Sequence, residues 1–413
     1  MGDFVFLLES FLYSTVVALA LGYTISLLFL FLHARNYKPP IPSGSLPTVS
    51  LIIPTYNEAS VIGRKLDNVL QVAYPREMLE VIVVDSASTD NTQGIVRNFA
   101  ARHQGELRLR LVEQSSRMGK TEALNEALRQ AKSEVFALTD ADVTFPPDSL
   151  ARLVAHLEDP TIAAVSGVEV PTGTGTTAHS IEADYRRIYT AIRMAEASTD
   201  TPFMCESELS AYRRAALEPL RPGGMCDDIE LTVAVRSKGY KSKYDLHSPF
   251  FESEAGTVVS KLKHKFRRGM ANQHALIRNA NVLFNRTFGR YGSVVYPFEF
   301  FVHIISPVLM AVIFCLFVAS VVFSPLSALV AVGIALALAL PSLAMVHRLM
   351  NMYASREMSR LEGTGSWILG ALAFLAFQGV LLASLVRLAV RGPQVKWEQV
   401  PETRKSLTVA SSA

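Results

Sequence analysis

Two aspartates, Asp140 and Asp142, stand one residue apart at the end of a predicted strand over residues 135–139. Side chains at positions i and i+2 of an extended backbone point to the same side. Both carboxylates can therefore face one Mg²⁺ or Mn²⁺ ion, and such an ion stabilises a phosphate leaving group. The alternative interpretation is a turn whose aspartates satisfy their own backbone, so the neighbouring motifs must decide between the two.

The elements that must position this pair alternate between apolar strands and helices. Strands are predicted over residues 49–54, 79–84, 107–112 and 135–139, with helices over 60–72, 92–101 and 121–131, the last capped by Thr121. This alternation predicts an α/β domain with a mostly parallel sheet that is covered on both faces. Ligands bind at the carboxyl ends of the strands in such sheets, where polar turns follow three of the predicted strands. Further on, a strand is predicted over 161–170 and helices over 180–197 and 229–237.

Half of the 413 residues are hydrophobic, and many of them are concentrated in four stretches. Residues 4–32, 296–323, 326–346 and 366–390 have the length and composition of transmembrane helices. The three cysteines are too few and too scattered for a disulfide framework or a zinc site, which fits a reducing cytosol. The sequence therefore predicts an integral protein of the plasma or inner membrane with a large domain between its first and second spans.

Basic residues predict on which side of the membrane this domain lies. Arg35 and Lys38 follow the first stretch, and a basic cluster over residues 261–290 precedes the second, so the positive-inside rule predicts a cytosolic domain. Four crossings would leave the C-terminal tail outside, although its own basic residues predict the inside. The two expectations agree only if one stretch lies in the interface or re-enters the membrane.

Six motifs follow one another along the chain: Pro54-Thr55-Tyr56-Asn57-Glu58, the turn from Asp85 to Asp90, Gly119-Lys120 with Asn125, Asp140-Ala141-Asp142, Tyr212-Arg213-Arg214 and Asp227-Asp228. In this order they resemble the membrane-integrated branch of the inverting, family 2 glycosyltransferases with the GT-A fold, and the resemblance covers about residues 49–268. It implies a transmembrane helix (residues 1–34), a GT-A domain (35–256), a basic interface region (257–295), about three C-terminal transmembrane helices (296–392) and a tail (393–413).

The resemblance also implies a role for individual residues. Asp228 would be the general base, and Asp142 and Asp140 would bind the metal. The residues implied in nucleotide-sugar binding are Pro54, Tyr56, Glu58, Asp85, Lys120, Asp140 and Arg268. The residues implied on the acceptor side are Glu206, Ser207, Glu208 and Asp227.

Each role has a structural alternative that the sequence leaves open. Asp227 and Asp228 are also suited to N-capping a helix; as a base at a helix N-terminus, Asp228 is expected to stay ionised. Lys120 is either a phosphate contact near a helix N-terminus or a solvated lysine, and Glu58 either contacts the donor or is a first-turn acidic residue. Asp90 is predicted to be a helix cap, and the arginines at 213 and 214 to be phosphate contacts or structural pairs.

A basic amphipathic helix is predicted before the second apolar stretch. Apolar residues recur every fourth position, and five basic residues fill the other faces: Lys261, Lys263, Lys265, Arg267 and Arg268. This pattern is suited to an anionic membrane surface, or to packing as an ordinary surface helix. No cluster of base-stacking aromatics accompanies it, so nucleic-acid binding is not expected. His264 either touches a phosphate or has no role.

The sequence departs from the family pattern at three places, of which the first two leave processive synthesis and the acceptor open. Residues 262–266 lack the Gln-x-x-Arg-Trp motif of processive relatives, Ser207-Glu208 replaces a Gly-Pro or Gly-Ala pair, and Ser86 stands where many relatives have a second aspartate.

The predicted function is transfer from a nucleotide sugar, a uridine diphosphate hexose or N-acetylhexosamine, to a glycan or polyprenyl-linked acceptor with formation of a β-linkage. A processive polysaccharide synthase and a single-addition lipid glycosyltransferase remain alternatives, as does a non-catalytic nucleotide-sugar-binding membrane protein. A transporter is disfavoured because the apolar stretches carry almost no charges. An oligomer is compatible with the sequence.

Overall fold

The structure is a computed structural model that describes residues 2–40, 46–172, 177–253, 258–353 and 367–394. Its helices and strands are, in chain order, α1 (Gly2–His33), β1 (Val49–Thr55), α2 (Ile62–Leu70), β2 (Leu79–Asp85), α3 (Thr92–Arg102), β3 (Arg108–Glu113), α4 (Lys120–Gln130), β4 (Val135–Thr139), α5 (Ser149–His156), β5 (Ile162–Thr172), α6 (Thr177–Thr199), β6 (Leu209–Arg213), α7 (Asp227–Ser237), β7 (Lys241–Ser253), α8 (Val258–Arg278), α9 (Tyr296–Phe300), α10 (Ser306–Phe323), α11 (Pro325–Met352) and α12 (Trp367–Arg391). Two π-helical turns, Tyr291–Val295 and Phe301–Ile305, flank α9.

The described strands form one seven-stranded sheet in the order β3-β2-β1-β4-β6-β5-β7. β1 pairs in parallel with β2 and β4, β2 with β3, and β5 with β7, whereas β6 is antiparallel to both of its neighbours. The predicted α/β fold with a mostly parallel sheet is therefore confirmed. The β7 strand was not predicted from the sequence.

The sheet is apolar along its central strands because both of its faces are covered. In β1, Leu51 and Ile53 belong to a core on one face, and Ile52 belongs to the core on the other. Alternate side chains of a strand point to opposite faces, so a strand buried on both sides has no polar positions to alternate with. The short continuous apolar runs of the sequence arise in this way.

The strand directions bring distant segments to one edge of the sheet. Because β6 runs against β4, its first residue, Leu209, pairs with Thr139, the last residue of β4. The residues just before β6 therefore lie beside the residues just after β4. The parallel pair β5 and β7 also ends at this edge, with Pro171 paired to Glu252.

Within the described residues, four helical segments are long and apolar enough to cross a membrane. They are Asp3–His33, Tyr291–Phe323, Pro325–Met352 and Leu372–Arg391. Large side chains such as Phe11, Phe314 and Leu326 are exposed on them, as expected of helix faces that contact lipid. Four crossings and the basic residues of the C-terminal tail predict opposite sides of the membrane for that tail. Beyond residue 394, the tail lies outside the described residues.

A buried ion cluster joins the α/β domain to the apolar helices. Arg193 of α6 pairs with Glu196 and lies 2.9 Å from Glu299 of α9, and the other oxygen of Glu299 lies 3.2 Å from Nδ1 of His303. All four residues are buried. One guanidinium therefore stands between two carboxylates at the junction, and burial raises the pKa of Glu196.

Replacing this guanidinium is expected to destabilise the protein strongly. Arg193→Met would leave buried carboxylates without their cation, which typically costs about 3 to 5 kcal/mol. Thermal unfolding in detergent should show a large fall in Tm. Arg129→Met is the matched control because Arg129 is an exposed residue paired with Glu126, and its Tm should be unchanged. Equal Tm values for the two variants would contradict a structural role for the cluster.

Candidate active site

A cavity of about 320 Å³ opens at the edge of the sheet where the parallel strands end. Twelve of the thirteen predicted site residues line it: Pro54, Tyr56, Glu58, Lys120, Asp140, Asp142, Glu206, Ser207, Glu208, Asp227, Asp228 and Arg268. The structure thus brings together segments that are up to about two hundred residues apart in sequence. The roles of these residues remain predictions. Because the residues line one cavity, they meet the first requirement of a shared site, which is closeness in space.

Lys120 connects the metal motif to the acidic end of α7. It is the first residue of α4, after Gly119 at φ 92°, and its Nζ lies 2.9 Å from Asp140, 3.2 Å from Asp227 and 2.8 Å from Ser207 Oγ. The interpretation of Lys120 as a solvated surface lysine is therefore wrong. Burial alone would lower its pKa, but the carboxylates, Asp140 first, raise it well above the usual value. The predicted Thr121 cap is also wrong, because α4 starts one residue earlier.

Asp228 is the second residue of α7 and does not cap it. The capping position belongs to Cys226, and Asp228 Oδ1 accepts a hydrogen bond of 2.9 Å from the backbone N–H of Ser207. Burial, then the charges of Asp227 and Glu208, raise the pKa of Asp228 well above its usual value. Burial and the neighbouring carboxylates therefore oppose the helix dipole, which favours the ionised form of this carboxylate.

The turns after β1 and β2 are held together by side chains. Asp85 is fully buried and accepts hydrogen bonds from Ser88 N, Thr55 Oγ1 and Gln93 Nε2 at 2.9, 3.0 and 2.7 Å. It lies behind the cavity wall, and the next residue, Ser86, is part of that wall. Asp85 thus shapes the turn, and its direct contact with a donor stays a prediction.

Two lesser predictions of the sequence have clear outcomes. Asp90 accepts from the backbone N–H groups of Ala59 and Thr92 at 3.0 Å each, so it connects the turn after β1 to the start of α3. The capping position itself belongs to Asn91, and the prediction that Asp90 caps the helix is wrong. The phosphate interpretation of Arg213 and Arg214 is wrong: they lie where β6 pairs with the start of β4, at the opposite end of these strands, and they donate to backbone carbonyls.

Lys65 of α2 holds the loop that carries the metal motif. Its only signal in the sequence is a lysine within an apolar helix. Its Nζ is fully buried, donates to Thr139 Oγ1, and donates to the carbonyl of Val143 at 2.9 Å. These two acceptors flank Asp140 and Asp142. Burial lowers the pKa of Lys65 to about 7.

Lys65→Met is expected to loosen this loop and to change the pH dependence of stability. It leaves two buried acceptors unsatisfied, which costs about 1 to 3 kcal/mol each. Since the pKa falls from 10.5 to about 7 on folding, the unfolded chain binds more protons between these values, and this lysine makes stability rise with pH there. The Tm advantage of wild type over Lys65→Met should thus grow from pH 7 to pH 10. The exposed Lys132→Met is the control, and a constant difference would contradict the role.

A second group of charges forms the other half of the cavity. Arg268 of α8 lies 2.9 Å from Glu208, 3.0 Å from Glu252 and 3.4 Å from Glu169, and Arg186 lies 2.7 Å from Glu169. Burial raises the pKa of Glu206 and raises that of Glu252 to about 8. Sequence reasoning missed Glu169 and Glu252, which the pairing of β5 with β7 brings here, and Arg186, which the packing of α6 brings here.

The basic helix is only partly as predicted. Lys265 and Arg268 turn inward and pair with Glu182 and with the carboxylates around Glu208, respectively, so these two do not face lipid headgroups. Val259 and Leu262 are exposed. Contact of this remaining face with a membrane stays a prediction. His264 lines the cavity, and burial lowers its pKa.

The donor set at Asp140 and Asp142 fits a divalent cation that is completed by its substrate. No group of three or more His, Cys, Asp or Glu side chains with metal-binding geometry occurs in the described part of the chain. Mg²⁺ is commonly bound by one or two carboxylates together with substrate phosphates and water, so two carboxylates in an open cavity meet this pattern. Zinc-like sites, in which all the ligands are protein side chains, do not meet this pattern.

Comparisons with known proteins agree with this geometry. Residues 50–221 match the family described as Glycosyl transferase family 2. The β-monoglucosyldiacylglycerol synthase of Nostoc sp. (strain PCC 7120) is 28% identical over 259 residues, which cover 58% of this chain and 51% of that protein. The poly-β-1,6-N-acetyl-D-glucosamine synthase of Staphylococcus epidermidis is 22% identical over 236 residues, 56% of each chain. The chain thus spans about half the length of these curated relatives.

One solved structure is similar over nearly the whole chain. It is the mannosyltransferase PcManGT from Pyrobaculum calidifontis in complex with GDP-Man and Mn²⁺, at 28% identity and a TM-score of 0.69, with 92% of this chain and 99% of that chain covered. The matched region contains the aspartate pair, Lys120 and the strands that position them. On this fold and this match, residues 50–221 form a family 2 glycosyltransferase domain, and the α/β domain has the GT-A fold.

Proposed function

We propose that this protein is an inverting glycosyltransferase that moves a sugar from a nucleotide sugar to a hydroxyl group of a glycan or lipid-linked acceptor and forms a β-linkage. The observation that carries the proposal is that Asp228, the aspartate pair and Lys120 share one cavity. Inversion needs a base on one face of the anomeric carbon and positive charge at the leaving diphosphate on the other.

The residues divide between these two requirements. Asp142, with Asp140, would hold Mg²⁺ or Mn²⁺, which when bound neutralises charge on the leaving diphosphate. Lys120 would move from Asp140 to a diphosphate oxygen. Asp228 would accept the proton of the acceptor hydroxyl as its oxygen attacks the anomeric carbon, and the nucleoside diphosphate would leave. The Ser207 N–H orients the carboxylate for this transfer.

The proposed place of the reaction is the cytosolic face of the membrane. Four candidate spans and the basic residues at the ends of the α/β domain support this placement. A cytosolic domain has direct access to nucleotide sugars. Cysteine accessibility tests the orientation: a reporter cysteine replacing exposed Lys132 should react in inverted membrane vesicles and be protected in intact cells.

Two donors are candidates. The family resemblance favours a uridine diphosphate hexose or N-acetylhexosamine, and the bound GDP-Man of the similar mannosyltransferase favours GDP-mannose. A scan of nucleotide sugars with purified full-length protein, read as metal-dependent release of nucleoside diphosphate, should identify one donor. No release with any donor, although nucleotide sugar binds, would favour a non-catalytic binding protein. Release that does not depend on divalent metal would contradict the metal role of Asp140 and Asp142.

A further inference from the structure

The half of the cavity beyond Asp228 has walls of a different chemistry from the donor half. Glu206 and Glu208, on the segment before β6, and Glu252, at the end of β7, form its polar wall, and Tyr189 of α6 and Phe377 of α12 form the wall on the side of the apolar helices. We call this part the acceptor pocket. It is continuous with Asp228, because the Ser207 N–H between the two glutamates binds that carboxylate.

Among the described residues, four polar atoms of this pocket have no hydrogen-bond partner, and one of them, Arg186 Nε, lies 3.4 Å from a carboxylate oxygen of Glu182. Glu206 and Glu208 are 94% and 91% buried, as their exposed fractions of 6% and 9% show. Oε2 of each, and the hydroxyl of Tyr189, have no hydrogen-bond partner among the described residues. A buried polar atom without a partner is costly, so these atoms indicate a ligand that supplies the missing hydrogen bonds.

Carboxyl groups outnumber guanidinium groups around the pocket, which disfavours an anionic ligand. Four carboxylates, those of Glu169, Glu206, Glu208 and Glu252, surround two guanidinium groups, those of Arg186 and Arg268. Both guanidinium groups are already paired with them. A phosphate needs cations that are available to it, whereas a hydroxyl group can bond to a carboxyl group in either protonation state.

The other wall of the pocket is aromatic and reaches the candidate spans. The Tyr185 ring meets that of Phe377 edge-on with 6.1 Å between centroids, and Phe377 belongs to the span Leu372–Arg391. An amphiphile could therefore place its polar end among the carboxyl groups and extend its apolar part along α12.

We propose that the acceptor pocket binds an uncharged, hydroxyl-bearing head group, such as a glycerol or sugar hydroxyl, of an amphiphilic acceptor, and rejects acceptors whose nucleophile is a phosphate oxygen. The proposal rests on the proposed glycosyl transfer and specifies its acceptor. The acceptor C–O–H attacks the anomeric carbon, the bond from that carbon to the diphosphate oxygen breaks, the proton passes to Asp228, and the nucleoside diphosphate leaves.

A matched pair of soluble lipids tests this chemistry on full-length protein in detergent. Dioctanoylglycerol and dioctanoylphosphatidic acid differ only in the group at the third carbon, a hydroxyl or a phosphate. Dioctanoylglycerol should bind at least about tenfold more tightly, a difference of about 1.4 kcal/mol. A soluble tetrasaccharide is the third ligand, and stronger binding of it than of the glyceride would identify a glycan as the source of the hydroxyl. The proposal is overturned if neither hydroxyl ligand binds, or if the phosphatidic acid binds as tightly as both hydroxyl ligands or more tightly.

Variants locate the effect in the pocket. Glu206→Gln and Glu252→Gln should reduce the preference for the hydroxyl ligand over the phosphate, whereas Glu230→Gln should not. Glu230 is also a buried glutamate, but it pairs with Arg221 and Arg278 outside the cavity. If Glu230→Gln has the same effect, the pocket is not the binding site. Nucleotide-sugar binding is measured separately by calorimetry. This measurement distinguishes a failure of the proposed donor function from a failure of the acceptor-pocket proposal.

Discussion

Asp228→Asn is expected to lower kcat by about 10²- to 10⁴-fold, the usual contribution of a general base. Nucleotide-sugar affinity should remain, because the asparagine removes a proton acceptor and leaves Lys120 and the aspartate pair in place. Nucleoside diphosphate release at saturating donor and acceptor measures the first effect, and calorimetric donor titration the second.

The fold should tolerate this substitution. Asparagine Oδ1 can still accept the Ser207 N–H, which lies 2.9 Å from Asp228 Oδ1. Since burial raises the pKa of Asp228, ionisation of this carboxylate opposes folding above its unfolded pKa, and a neutral amide removes that penalty. The Tm should therefore stay the same or rise at pH 7. Asp148→Asn, at an exposed carboxylate paired with Arg152, controls for loss of charge alone.

Two results would contradict the assignment of Asp228. Undiminished kcat in Asp228→Asn would remove it from the reaction. Equal loss of kcat and of donor affinity would make it part of the donor site rather than the base.

The sequence predicted the donor half of the fold because its signals are local. β1, β2 and β4 are continuous apolar runs, and each is followed within a few residues by the polar turn that forms the cavity wall. Parallel strands place their carboxyl ends together, so Glu58, Asp140 and Lys120 could be expected at one edge without further information. The prediction of a site at this edge rested on the spacing of these residues along the chain.

The acceptor half could not be predicted because its signals are long-range. Glu252 reaches the cavity through the pairing of β5 with β7, and Arg186 through the packing of α6 against the apolar helices. No sequence period marks either residue. The inward turn of Arg268 depends on the three carboxylates it meets, and those come from three different strands or loops.

The pKa of Asp228 also depends on long-range contacts that could not be predicted from the sequence. Its position at a helix N-terminus was visible in the sequence and predicted an ionised group. Its burial, and the nearness of Glu208, depend on the antiparallel direction of β6, which the sequence did not specify. The helix N-terminus favours the ionised carboxylate, as the sequence predicts. Burial and the neighbouring carboxylates raise the pKa of Asp228 and so act in the opposite direction.

Lys120→Met is expected to cause the second largest loss. The ammonium group lies within 3.2 Å of Asp140 and Asp227, and loss of such a preorganised positive group at a leaving group typically lowers kcat by about 10²- to 10³-fold. Donor affinity should also fall, because the remaining carboxylates repel the diphosphate. This joint loss distinguishes Lys120→Met from Asp228→Asn, in which kcat alone falls.

The stability of Lys120→Met should depend on pH with a definite sign. Without the cation, burial is no longer opposed by Lys120 at Asp140, so the folded-state pKa of Asp140 rises relative to wild type. The folded variant therefore binds more protons than the folded wild type above about pH 4, and its stability relative to wild type is lost as pH rises. The loss at pH 8 should be about 1 to 3 kcal/mol, below the value for fully buried pairs, since 27% of the lysine side chain is exposed. Lys120→Arg should recover stability more fully than kcat, because a planar guanidinium keeps the charge but not its position. Lys132→Met, just beyond the same helix, should change neither quantity. A stability loss in Lys120→Met that is the same at pH 5 and pH 8 would mean that Lys120 acts by packing, and that the carboxylates around it do not need its charge.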